Sequence, residues 1–418
     1  MGRCEVGRLA GESGTYSCHL FYKSVGSHAK RRCAYIESWA GIRKTSVTII
    51  SKLTQDIQCK GFPLPTAYIN QIATAVPPHQ VHDAFIEFQR KMIGDKRKRF
   101  IFDRLVEKGQ IEKRWSCVLP AEDRLAASVN GEKFYAAGDF PSTGKRMRHY
   151  EIEAPVLAQR AVSKLQLGSF RDKITHLIVT SCTGFSAPGI DLQLIQRAGL
   201  NPCIERTIVG FMGCYAAINA LKLARHIVRS EPDAKVLVVS IELCTLHLQE
   251  TYDLELMMPF LLFADGCAAA IVSAEPKGFC IDGFHAAVFP EAASQMAWNI
   301  RDLGFDMVLS SRIPSSVASV IGRAADKILA GAAPSEIALW AVHPGGRAIL
   351  DSVEAAFRLP LHALNASRKV LRDFGNMSSA TVLFVLKALL EQCGPGEKGC
   401  AMSFGPGLTA ETMLFKAV

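Results

Sequence analysis

From residue 65 onward, continuous apolar runs alternate with segments that repeat apolar residues every three or four positions. "THLIVTSC" (175–182) and "AKVLVVSIEL" (234–243) are uninterrupted apolar runs ending in small or polar residues, the mark of strands buried on both faces. Between them, "DLQLIQRAGL" (191–200) has helical spacing, and "GCYAAINALKLARHIV" places Ile218, Leu221, Ala224 and Ile227/Val228 on one helical face. The later part of the chain repeats the scheme. The run "EIALWAVHPGG" (336–346) precedes the helices "GRAILDSVEAAF" and "SSATVLFVLKALLEQC", and the strands "GCAMSFG" and "ETMLFKA" close the chain. Strand–helix alternation in two similar halves, 65–276 and 277–418, predicts a layered α/β protein whose central sheets are covered by helices. In such a fold, functional groups belong at strand ends and helix starts.

Residues 1–64 break this pattern. They show no sustained periodicity and carry ten Lys/Arg against four Asp/Glu, so they hold +6 of the formal net charge of +9 and leave +3 for the remainder. A transit-like leader and translated sequence upstream of the true start are both open readings. The other basic cluster, "KRKR" (96–99), opens a helix without interleaved aromatics, which reads as a solvated face or a site beside an anionic ligand. Nucleic acid is not a supported partner. No apolar segment is long enough to span a membrane. The thirteen cysteines are scattered and form no CxxC pair, which argues against zinc or a disulfide framework and for a reducing, cytoplasmic setting.

Three residues suggest chemistry. Cys214 follows Gly210 and Gly213 at the start of a helix, where the macrodipole favours thiolate over thiol; packing as a small hydrophobe is the plain alternative. His343 stands where a buried strand breaks into Pro344-Gly345-Gly346. Asn376 precedes a helix that Ser378 or Ser379 could cap; it is either a turn residue or an uncharged donor for an oxyanion. "SFGPGLTAET" (403–412) adds a tight turn that could wall a pocket. Papain-like proteases also use Cys, His and Asn, and His343 lies 129 residues after Cys214. Their cysteine, however, sits near the mature N-terminus in a different local context.

"GFMGCYAAINAL", "LLFADGCAAAIV", "AVHPGGRAILDSVE", "GNMSSATVLFVL", "SFGPGLTAET" and "FDRLVEKGQIEKRW" together resemble the type III polyketide synthases of the chalcone and stilbene synthase family. The resemblance runs from about residue 65 to the C-terminus. It implies a thiolase-like αβαβα fold and a homodimer acting on coenzyme A thioesters, with no cofactor or metal. It implies that Cys214 carries the acyl chain, that His343 and Asn376 hold the malonyl-CoA carbonyl oxygen during decarboxylation, and that Phe263 is a gatekeeper. Arg104 and Lys108 match basic CoA-contacting positions, while a third such position is Ile101 here.

At cavity positions the resemblance assigns Cys182, Cys244, His247 and Ser378, with Met307 in place of a second gatekeeper phenylalanine. Ala187 replaces a larger residue that reaches into the partner's cavity. These departures resemble bacterial members that take fatty acyl starters and make alkylpyrones or alkylresorcinols. A ketoacyl synthase served by acyl carrier protein is the rival enzyme reading, and a thiolase-fold scaffold without chemistry the non-enzymatic one.

Overall fold

The apolar runs become strands of one nine-stranded sheet in the computed structural model, which describes residues 65–120, 126–129, 132–136 and 138–418. The expectations for residues 1–64 lie outside the described residues. In chain order the strands are β1 (Tyr68–Ala75), β2 (His176–Ser181), β3 (Glu205–Gly210), β4 (Val236–Leu243) and β5 (Asp265–Ser273). They continue with β6 (Phe279–Val288), β7 (Leu339–Val342), β8 (Lys398–Gly405) and β9 (Thr409–Ala417). Their spatial order is β7-β8-β9-β6-β1-β5-β4-β2-β3.

The order repeats about a seam. In one half β2 runs parallel to β4, which pairs antiparallel with β5, and β5 with β1. In the other, β7 runs parallel to β8, which pairs antiparallel with β9, and β9 with β6. The halves join where β1 meets β6, through Tyr68↔Cys280 and Ile69↔Phe279 only. β3 extends the first half as a parallel edge strand.

Two helices occupy equivalent places in the repeat, Ala216–Ser230 and Thr381–Leu390, and each packs on strands of both halves. Thr143–Ser163 and Ile190–Ala198 cover the first half, and Ile313–Ile328 with Arg347–Phe357 cover the second, giving αβαβα layers. This explains the burial patterns. Ile218, Leu221, Ala224 and Val228 are buried as their spacing predicts, but Ala217 and Ala220 are buried too, because the helix is enclosed on more than one side. β4 is buried at every position.

One local expectation fails. Neither Ser378 nor Ser379 caps the helix they precede; instead the Met377 N–H donates to Thr381 Oγ1 at 2.8 Å, and residues Ser378–Ala380 form a 3-10 turn.

Candidate active site

The two central helices begin side by side, and their leading segments carry Cys214 and Asn376–Ser379. The turn before Cys214 is held in one shape. Gly213 has φ +83°, and a Cβ there would stand 2.4 Å from Pro406 Cδ, so only glycine fits. The Gly213 N–H donates to Cys182 Sγ at 3.0 Å. Cys214 itself is 6% exposed, and its thiol donates to Ser378 Oγ at 3.7 Å. Burial pushes the Cys214 thiol up to about 12, with the Ser378 bond opposing and the Glu242 carboxylate adding to the rise. Burial thus opposes the thiolate that the helix start favours. Desolvation of a fully enclosed sulfur outweighs the dipole.

His343 directly follows β7 and is 1% exposed, and neither ring nitrogen has a hydrogen-bond partner among the described residues. Burial pushes its imidazole down to about 3, so it is neutral. Asn376 is fixed by its backbone: its N–H donates to Leu262 O and its carbonyl accepts from Ala264 N, both at 2.8 Å. The result is an isolated parallel bridge to Phe263. The Asn376 side chain accepts from Ser378 N at 2.8 Å and donates to Gly345 O at 3.2 Å. It is thus both the turn residue and a donor whose second amide hydrogen remains.

Cys214, Phe263, His343, Asn376, Met296 and Met307 line one cavity of about 410 Å³. A smaller void of about 20 Å³, with room for a water molecule, lies against Cys182, Cys244 and Ser378 and shares Cys214, Phe263 and Met307 with the first. Like Cys214, Met296 and Met307, Phe263 thus lines both. Its main chain is clamped by buried Arg114, which donates to the carbonyls of Phe260 and Phe263.

His247 is a correction. It lines neither cavity; Nε2 bonds Thr183 O at 2.7 Å, Nδ1 accepts from Phe305 N at 3.1 Å, and the ring stacks 4.0 Å from that of Phe305. With both nitrogens satisfied, it anchors the hairpin Met296–Arg301/Gly304–Leu309. Ala187 is exposed and outside both cavities of its own chain. Lys108 lines an outer cavity of about 240 Å³ with Arg347, and this cavity shares Leu105, Met258 and Leu262 with the main one. Arg104 is exposed and paired with Glu107 at 3.2 Å, and Ile101 is 39% exposed.

Glu242 went unnoticed in the sequence. It accepts from Cys182 N and Thr183 Oγ1, both at 2.9 Å, and from Ser379 Oγ, and so ties the Cys182 loop to the start of the second central helix. A chain of hydroxyls, Thr180–Ser240–Ser379, continues the tie. Burial pushes the Glu242 carboxyl up to about 7. The available signal was a lone carboxylate inside an otherwise apolar strand. One further group has metal-ligand chemistry among the described residues, His176 with Glu205 and Glu231. It lies outside both cavities, at the opposite end of β2 from Cys182.

A five-layer repeat that brings cysteine, histidine and asparagine onto one buried cavity defines a thiolase-like acyl-transfer site. The family model for the N-terminal domain of chalcone and stilbene synthases matches residues 56–276, and that for the C-terminal domain matches residues 284–418. The first match begins nine residues before the resemblance recognised in the sequence. An alpha-pyrone synthesis polyketide synthase-like protein, Pks18 of Mycobacterium tuberculosis, is 30% identical over 372 residues, 85% of this chain and 92% of the relative. The type III polyketide synthase domain of Steely1 from Dictyostelium superposes with a TM-score of 0.77 at 24% identity, covering 84% of this chain and 99% of that one. PKS-I from the brown alga Ectocarpus siliculosus gives 0.76 at 27% identity, covering 86% and 100%. The chain belongs to the chalcone and stilbene synthase family. Its class is that of the type III polyketide synthases, acyltransferases by reaction, and the carrier-protein-dependent ketoacyl synthase is not favoured.

Proposed function

We propose that this chain loads a fatty acyl group from coenzyme A onto Cys214, extends it with malonyl-CoA, and closes the product to an alkylpyrone or alkylresorcinol. The observation that carries the reading is the convergence on one apolar cavity of Cys214, the Asn376 amide and a neutral His343 whose ring nitrogens have no partner among the described residues. In the loading step the thiol proton passes to His343 as sulfur attacks the acyl carbonyl, and coenzyme A leaves as its thiol. Malonyl-CoA then loses CO2. The electron pair of the broken bond forms an enolate, whose oxygen the Asn376 amide and the His343 ring stabilise. The enolate carbon attacks the Cys214 thioester, a carbon–carbon bond forms, and the sulfur is released. The electrons come from decarboxylation, so the scheme balances without a metal or redox cofactor. Lys108 and Arg347 in the outer cavity suit the anionic end of coenzyme A.

The starter is argued from the lining. Met296, Met307 and Leu309 present flexible or branched apolar surface, and thioether side chains yield to an alkyl tail. The relative named for alpha-pyrone synthesis points the same way. We also assign a homodimer, built on the exposed edge strand β3 and the neighbouring Phe185, Ala187 and Met212, and a cytoplasmic location. Among the described residues no helix is long and apolar enough to cross a membrane.

Acetyl-, hexanoyl-, lauroyl- and p-coumaroyl-CoA, each with malonyl-CoA, test the reading by mass spectrometry of products. Each buried methylene contributes up to about 0.8 kcal/mol, so kcat/KM rises with alkyl length and Cys214→Ala makes no product. A preference for p-coumaroyl-CoA overturns the fatty starter but leaves the enzyme class in place.

A further inference from the structure

The helix Lys96–Gly109 (the "KRKR" segment) presents one face on which Lys96, Arg97, Phe100, Ile101, Arg104 and Lys108 are all exposed. Phe100 is 62% exposed, an unusual position for phenylalanine on a helix that also has a buried side, where Phe102 is fully enclosed. The helix holds six basic residues against two acids, Asp103 and Glu107. Both acids are already paired, with Arg90 and Arg104, whereas Lys96 and Arg97 have no partner among the described residues. Lys98 Nζ donates to Tyr252 O at 3.4 Å and sets the next segment alongside; there Tyr252 is 63% and Leu256 47% exposed. From the other sides of these two segments, Leu105, Leu254 and Met258 line the main cavity.

We propose that this rim, at the mouth of the cavity, docks on an anionic bilayer surface. Unpaired cations interleaved with exposed aromatic and branched apolar side chains match a lipid interface, where headgroup phosphates take the charges and the acyl boundary takes the rings. An acidic soluble protein would satisfy the lysine and arginine but would need separate pockets for Phe100 and Tyr252; a bilayer accepts both together. The docked mouth faces a layer in which long acyl tails dissolve. That last consequence rests on the fatty-starter reading, whereas the docking does not.

Flotation of the full chain with vesicles of phosphatidylcholine, alone or with one quarter phosphatidylglycerol, tests the proposal without substrate. Residues 1–64 are themselves basic, at +6, so variants of the rim carry the decision. The wild type floats with the anionic vesicles at low salt and much less at high salt. Lys96→Glu/Arg97→Glu lowers the partition coefficient by at least about 10-fold. Phe100→Ser/Tyr252→Ser lowers it at both salt concentrations. Both variants melt like the wild type and keep its association state. Undiminished vesicle binding by the two variants overturns the proposal, as does failure of the wild type to bind. A change of association state in either variant also overturns it, since a second copy then covers the rim.

Discussion

His343 and Cys214 are both neutral, because each is enclosed where a charge has no solvation. Under the proposed mechanism the thiolate forms by proton transfer between them as the acyl group arrives, and the titration of the free thiol tests whether both start uncharged. Burial sets the sulfur at about 12, so without a proton acceptor the thiolate fraction grows with pH through the whole alkaline range. In His343→Ala, alkylation of Cys214 by iodoacetamide keeps rising past pH 10. The wild type is expected to rise likewise, since its imidazole is neutral and makes no hydrogen bond to the thiol, and a plateau below the ordinary cysteine value of about 8.5 contradicts the reading that both groups rest uncharged. Glu242 gives a second residue-scale prediction. Its carboxyl is raised from 4.5 to about 7 in the fold. As pH rises above 4.5, the unfolded chain gives up its proton first, so stability falls until about pH 7 and stays reduced above it. Glu242→Gln keeps an acceptor for Cys182 N and Thr183 Oγ1, while the Ser379 hydroxyl turns to accept. It should match the wild type in urea at pH 4.5 and exceed it at pH 8 by up to about 3 kcal/mol. Asp265, raised to about 6, shares the sign, so a smaller slope remains. Cys214, His343 and Asn376 were legible because each breaks a local pattern. Glu242 was not, since nothing along the strand shows which distant groups a buried acid meets.

At the scale of elements, Gly213 links the turn to the helix. Its positive φ and the proline ring beside it leave no place for a methyl group. Gly213→Ala is expected to lower stability by roughly 1–3 kcal/mol, read from the urea midpoint. It should also slow acyl loading, because the sulfur moves with the turn. The strands and helices that were read from spacing fall within a few residues of their observed spans, whereas β3, β6 and the helices Thr143–Ser163 and Ile313–Ile328 were not read. Cap chemistry was not. Ser378 looked like a cap, but the segment tightens into a 3-10 turn because Thr381 supplies the bond and Asn376 holds Ser378 N. The cation–apolar face of Lys96–Gly109 was visible only as a charge run, since its aromatics gain meaning from which side of the helix is covered.

Over the whole molecule, β3 is the edge of the sheet, and Glu205 to Ile208 along it are exposed, Ile208 by 45%. An edge with free backbone groups and apolar side chains invites a partner strand. Ile208→Lys is expected to shift the mass found by light scattering from dimer to monomer, while leaving the circular dichroism of the subunit unchanged. A wild type that is monomeric at micromolar concentration contradicts the assigned dimer. By itself the sequence determined the strand–helix alternation, the repeat of two halves and the three candidate reactive residues, because periodicity and motif spacing are properties of neighbouring positions. Only the tertiary structure decided that, of the four residues assigned to the cavity, Cys182, Cys244 and Ser378 stand by Cys214 while His247 is held elsewhere. It also decided that the thiol and imidazole rest uncharged. Those outcomes depend on which surfaces lose water when distant segments pack, and desolvation is set by the completed fold.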